Sequence, residues 1–433
     1  MDGGLVPAPL ASRLVLSLRL GAVMTIRHPL IVTVASGCIL FIGIAAKAEL
    51  TVDTDFPGGS AKVDGIDQDE QLIQLTPYPH PARGWACWWY CKVHGATPGK
   101  AISLDVGEAP WATPDRATYS YDQQTWQHTS PGKRSGKRIV YQLIPSAPQF
   151  WIAWGPPFLP SDARELVESA SKLPFATAID LCHTREGRST PALIVTESDD
   201  PSKRYGIWIQ ARQHAWESGS SWVAKGFVDW LISDHEAARS LRSKTRIAIV
   251  PIMDIDNVYR GAGGKNQKPQ DHNRDWSDTP HWRSVAAAQQ AISDQDKAGQ
   301  FDLFIDLHNP GANDRQPYYY VPPQDLLSAT GRRNLQRFIT TSKTEITGPL
   351  RFVGKIVESG PQYDPKAWKT ISKNWVALHC RDHVVAVTLE TAWNTPQSTT
   401  AGYQQIGREL GNTLGQYFGE EVRKPAAAED RPR

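Results

Sequence analysis

His214 and Glu217 stand three residues apart in "ARQHAWE", where a β-branched apolar run gives way to an amphipathic helical pattern. On a turn entering a helix, side chains three apart share one side. An imidazole and a carboxylate placed there could hold one cation together. A lone His-x-x-Glu carries little information, so partners elsewhere matter. His308 closes the apolar run "FDLFIDLH", and Asp306 lies two residues before it, close enough to orient the ring. A catalytic zinc takes about three protein donors from His, Glu or Asp and keeps one position open; His214, Glu217 and His308 supply such a set. Glu390 ends "VVAVTLE", a run too apolar to bury a carboxylate unless that group is paired or used. Asn273 and Arg274 follow another apolar run, in "QDHNRDW".

These residues need elements that end in one place. From about residue 158 to 419, strand-like runs ("PALIVTES", "YGIWIQAR", "TRIAIVPIMDI", "FDLFIDLH", "PYYYV", "HVVAVTLETAW") alternate with helical ones at 217–233, 277–298, 324–345 and 401–418. This is an α/β pattern. It implies a mixed, mostly parallel sheet flanked by helices, with chemistry gathered where strands end. Residues 49–157 read differently. Short apolar-aromatic runs separated by Gly, Pro and Asp turns predict a small all-β sandwich. "WGPPFLPSD" marks the boundary: paired prolines continue neither ladder nor helix, and Ser161 or Asp162 is expected to cap the helix that follows. The charged, Pro/Ala-rich stretch 420–433 reads as a disordered tail.

The chain has 433 residues and a formal net charge of +2, so bulk charge gives a nucleic-acid partner no support. Sixteen tryptophans could line a binding surface or fill a core. Residues 1–48 have the layout of a secretory signal peptide: Arg27, an apolar run from Leu30 to Ala46, and "AKA" before Glu49, with Met24 as an alternative start. This predicts an exported, periplasmic or secreted protein with no stable membrane insertion once the signal is cleaved. Export permits disulfides. Cys87 and Cys91, on one strand, would lie too far apart to bond, while Cys182–Cys380 stays open. A monomer is expected.

With four motifs in order, the chain from about 160 to 418 resembles the carboxypeptidase A-like zinc metallocarboxypeptidases. It is most similar to the cytosolic-carboxypeptidase-like branch, whose members carry a β-sandwich ahead of the catalytic domain. "WACWWYCKV", "YSYDQQTW" and "WIAWGPPF" resemble that sandwich, and "TREGRSTPALIV" resembles the lead-in strand. The resemblance implies one zinc ion held by His214, Glu217 and His308. It implies Glu390 as general base and acid, and Asn273 and Arg274 as binders of a peptide's terminal carboxylate. Two departures stand out. Relatives place an arginine about ten residues before the carboxylate-binding one; here Gly264 is ten before Arg274 and Lys265 nine before. Lys265 is therefore expected to hold the oxyanion, with Arg260 in reserve. Digestive members carry an arginine between the first two ligands, where this chain has Trp216. Tyr363, in the loop-like "SGPQYDP", could reach the substrate. The implied activity is hydrolysis of the C-terminal amide of peptides. Two rivals stay open: a zinc amidase or deacylase acting on cell-wall peptides or N-acyl amino acids, and a non-catalytic peptide- or glycan-binding protein.

Overall fold

The computed structural model describes residues 49–423, apart from residue 110 and segments 198–199 and 201–203. The expected signal peptide and the last ten residues lie outside the described residues.

The apolar runs of the second half become one eight-stranded sheet. Its order is Ala176–His183, Ser189–Val195, Thr245–Val250, Tyr205–Ala211, Leu303–His308, Val385–Glu390, Tyr318–Val321 and Ile356–Glu358. The four central strands run parallel. They are buried on both faces, which is why they read as continuous apolar runs rather than alternations. The outer pairings of Ala176–His183, Ser189–Val195 and Tyr318–Val321 are antiparallel. On one face the helices Ser218–Leu231, Ala329–Glu345 and Thr400–Tyr417 share a core with Ile207, Ile305 and Val387. On the other, Arg283–Lys297 and Ser372–His379 pack against Trp208, Phe304 and Trp276.

Register brings the chemistry together. His308 and Glu390 are direct partners across the parallel pair, and Tyr318 faces Glu390 from the antiparallel neighbour. Parallel strands that end level present their last side chains at one edge of the sheet.

Residues 51–153 contain two five-stranded sheets, with their core around Trp89, Tyr90, Tyr141 and Phe150. This core does not stop at the boundary. It takes in Trp216 and Trp393 from the large-sheet half, and the described residues form one compact unit.

Several local expectations need correction. The helix after the proline pair is Pro160–Ala170 and its cap is Leu159, not Ser161 or Asp162. Asp162 acts from the first turn, accepting a hydrogen bond from Leu159 N at 2.6 Å. Of the expected tail, Val422 and Arg423 are packed: Val422 is buried, and Arg423 pairs with Asp302 at 2.8 Å. Cys182 and Cys380 are unpaired thiols, as are Cys87 and Cys91. Among the described residues no helix is long and apolar enough to cross a membrane.

Candidate metal centre and active-site pocket

The strand Tyr205–Ala211 runs into a sharp turn before the helix Ser218–Leu231 starts. Buried Arg212 holds that turn. Its guanidinium donates to Ala215 O at 3.0 Å and to Phe158 O at 3.2 Å. Gln213 points back into the sheet, donating to Asp306 Oδ2 at 2.5 Å and accepting from Trp276 Nε1 at 2.8 Å. His214 and Glu217 are thereby left facing the strand-end edge, with Glu217 at the positive end of the helix dipole.

His214, Glu217 and His308 converge. One ligand atom from each lies within 4.8 Å of the others, and all three residues are buried. Nδ1 of His214 lies 2.8 Å from Glu217 Oε1, and Nδ1 of His308 lies 2.7 Å from Glu217 Oε2. The far nitrogens have carboxylate partners: His214 Nε2 lies 3.1 Å from Asp271 Oδ1, and His308 Nε2 lies 3.1 Å from Asp306 Oδ2. That arrangement favours the proton on each Nε2 and turns both Nδ1 lone pairs toward Glu217. Two lone pairs and a carboxylate at such range repel one another unless a cation lies among them. Two imidazole nitrogens and one carboxylate oxygen are a donor set suited to zinc, so the residues present fit the ion. Electrostatics agree. Although burial pushes it up, the two imidazoles hold the Glu217 carboxyl far below the usual range. Burial likewise opposes ionisation of Asp271, yet His214 and Lys265 hold it well below its ordinary value.

The centre opens into a cavity of about 170 Å³. Glu390, Lys265, Tyr318, Tyr320 and Tyr363 line it with His214 and Glu217. Glu390 is 8 % exposed, and its Oε2 has no hydrogen-bond partner. Burial pushes its carboxyl up to about 8, with His308 pulling against that rise and the Glu217 charge adding to it. Lys265 Nζ lies 3.2 Å from His214 Nε2 and 3.9 Å from Asp271 Oδ2. Tyr319 points the other way, into the core against Phe338 and Phe352.

Other expected residues stand apart from the cavity wall. Arg260 does not join it: the guanidinium pairs with Glu186 at 2.7 Å, in a cluster with Arg83 and Arg188. The reserve assignment of Arg260 to the oxyanion is therefore corrected; a partly exposed ion pair already occupies it. Arg274 donates from Nε to Asp364 Oδ2 at 2.9 Å and from Nη1 to the carbonyl of Asn273 at 2.7 Å, and does not line the cavity. Asn273 lies behind the centre. Its Nδ2 is 3.3 Å from His308 Nε2, and its Oδ1 accepts from Ser372 N at 3.0 Å. His272 stacks on Trp282 and His379 on Trp375, both structural.

Sequence reasoning did not find Asp271 as the partner of His214, nor Trp85, Trp111 and Trp393 in the cavity wall. Asp271 carries a signal of its own: it caps the short turn His272–Arg274, accepting from Asn273 N at 2.8 Å.

The site thus sets a donor set suited to a metal ion at the strand ends of a mixed sheet. Residues 164–319 match the zinc carboxypeptidase family model, a stretch that includes His214, Glu217, Asn273, Arg274 and His308 and ends before Glu390. The chain is 28% identical over 270 residues to an uncharacterised protein of Zymomonas mobilis, covering 61% of this chain and 68% of that one. It is 28% identical over 177 residues to mouse cytosolic carboxypeptidase 3, covering 39% of this chain and 18% of the relative. Against human cytosolic carboxypeptidase 1 the figures are 31% over 105 residues, 22% and 9%; the matches thus span less than a fifth of these two relatives. A metallo-carboxypeptidase structure from Burkholderia cenocepacia superposes with TM-score 0.75 at 20% identity, covering 86% of this chain and 99% of that one. One from Pseudomonas aeruginosa, in complex with (2-guanidinoethylmercapto)succinic acid, gives 0.71 at 21%, covering 85% and 99%. The chain has the carboxypeptidase A-like fold, and within it residues 164–319 are similar to zinc carboxypeptidases.

Proposed function

We propose that the protein is an exported zinc metallocarboxypeptidase that hydrolyses the C-terminal amide bond of peptides. The observation that carries the reading is Glu390: a buried carboxylate with an unpartnered oxygen, in register with His308 and lining the same cavity as His214 and Glu217. A structural carboxylate would be paired; one poised for proton transfer is kept free.

In this reading His214, Glu217 and His308 hold the zinc ion, which when bound supplies Lewis acidity to the water and to the scissile carbonyl. Asp271 and Asp306 fix the two rings. Glu390 takes a proton from water and returns it to the departing amine. Lys265 holds the developing oxyanion as a point charge; loss of such a donor typically costs about a hundredfold or more in rate. Tyr318 and Tyr320 close one side against bulk water, and Tyr363 meets the substrate from the rim. Arg274, supported by Asn273, binds the free carboxylate by exchanging its Asp364 partner for the substrate.

That existing pair favours one second reading. Because Asp364 already engages Arg274, a zinc amidase or deacylase with no strict demand for a terminal carboxylate suits the same cavity. Peptides with free and amidated C-termini separate the two. The carboxypeptidase reading expects the free peptide to be cleaved at least about a hundredfold faster, and Arg274→Ala to damage mainly that substrate. Equal rates on both peptides, or equal damage by Arg274→Ala, would overturn it in favour of the amidase.

A further inference from the structure

The cavity has a wall that the proposed chemistry leaves unused. Trp85 and Trp111, both from the β-rich region, line it beside Lys265. Their rings meet edge to face, with centroids 4.7 Å apart at 74°. They remain 36% and 49% exposed, whereas Trp88, Trp89, Trp154 and Trp216 are buried. Two large indole faces left against water beside a reaction cavity are surface that an apolar group gains by covering.

Trp85 is built into the site. Its backbone N donates to Lys265 O at 2.9 Å, and Gly264 N donates to Arg83 O at 2.8 Å. Gly263 makes this approach possible: a Cβ there would lie 2.0 Å from the carbonyl oxygen of Trp85. Gly84, at φ +89°, does the same from the other side, since a Cβ would meet Lys265 O at 2.4 Å. The loop that delivers Lys265 to His214 and the segment that delivers Trp85 to the cavity are thus one backbone-paired unit.

We propose that Trp85 and Trp111 form a subsite for an apolar side chain, aromatic above all, on the N-terminal side of the scissile amide. The direction of the peptide rests on the carboxypeptidase reading. There the terminal carboxylate lies toward Arg274 and the Tyr363–Asp364 corner, so a wall tied to the Lys265 loop meets the chain upstream. Lys265 in the same wall repels a cationic residue, which leaves an uncharged ring as the best fit.

The test is calorimetric binding to zinc-loaded Glu390→Gln protein, using acetylated dipeptides with Phe, Gly or Lys before a C-terminal Leu. The Phe peptide is expected to bind roughly five- to tenfold tighter than the Gly peptide, and the Lys peptide no tighter than Gly. Trp85→Ala, and separately Trp111→Leu, in the same background should bring the Phe-to-Gly ratio to about one. Melting curves of both variants confirm folding, with Trp111→Phe as the conservative control that retains part of the preference. Equal binding of Phe and Gly peptides, no binding of the Phe peptide, or a preference that survives both substitutions overturns the proposal. Hydrolysis by the wild-type protein is scored separately: if it cleaves none of these peptides, the carboxypeptidase reading falls, while the binding ratio still decides the subsite.

Discussion

Glu390 shows how much a single side chain can say. A carboxylate at the end of an apolar run was legible as out of place. The sheet adds how it is placed: register sets it beside His308 and leaves one buried oxygen without a hydrogen-bond partner. Glu390→Gln is expected to keep the metal and lose turnover by at least about a hundredfold, checked by metal analysis alongside a peptide-hydrolysis assay; an active variant would remove the assigned base. His214, Glu217 and His308 were legible for the same reason, being polar groups at strand ends. Asp271 was not, because its contact with His214 is made by a loop that returns 57 residues later. Arg260 looked eligible by sequence distance alone, but a cation goes where its counter-charge is, and Glu186 is elsewhere.

At the scale of elements, the central strands could be read directly because burial on both faces leaves nothing but apolar residues. The edge strands Ala176–His183 and Ile356–Glu358 were missed: they are mostly exposed and carry no such run. Short helices such as Ser372–His379 were missed too, being too brief to show a period. That helix carries a fully buried lysine, Lys373, which donates to Ser359 Oγ and, at 2.9 Å, to Asn374 Oδ1. Burial, with Arg274 adding, pulls its amine down from 10.5 to about 7. Between those values the unfolded chain binds the extra proton, so this group's contribution to stability rises with pH. Lys373→Met should therefore show its largest gain in Tm relative to wild type near pH 7, shrinking toward pH 10; a gap that does not vary with pH would contradict the buried, neutral amine. The Lys265 loop makes a second element-scale prediction. Gly263→Ala forces a Cβ against Trp85 O. It should cost about 1–3 kcal/mol of stability by overpacking and lower kcat while zinc content is retained. An unchanged kcat would show that the loop does not place Lys265.

Taken whole, the molecule joins what composition divided. The β-rich stretch and the α/β stretch differ plainly in rhythm, so each was recognisable. Their union was not, because it depends on which tryptophans meet. Trp154 packs against Trp216 and Trp393, at 5.1 Å and 4.5 Å between ring centroids, and Trp216 sits between the first two donors in the chain. The surplus of tryptophan thus serves both uses left open by the sequence: most are buried in the hydrophobic cores, and Trp85 and Trp111 face the cavity. Everything proposed for the site depends on the donor triad holding one ion. The most direct measurement is the zinc content of purified, dialysed wild-type protein and of His308→Ala, by elemental analysis with melting curves alongside. The structure predicts about one zinc per wild-type chain and a loss of at least about tenfold in affinity in a folded His308→Ala variant; a wild-type chain that takes up no zinc, or a variant that binds it equally well, would contradict the account.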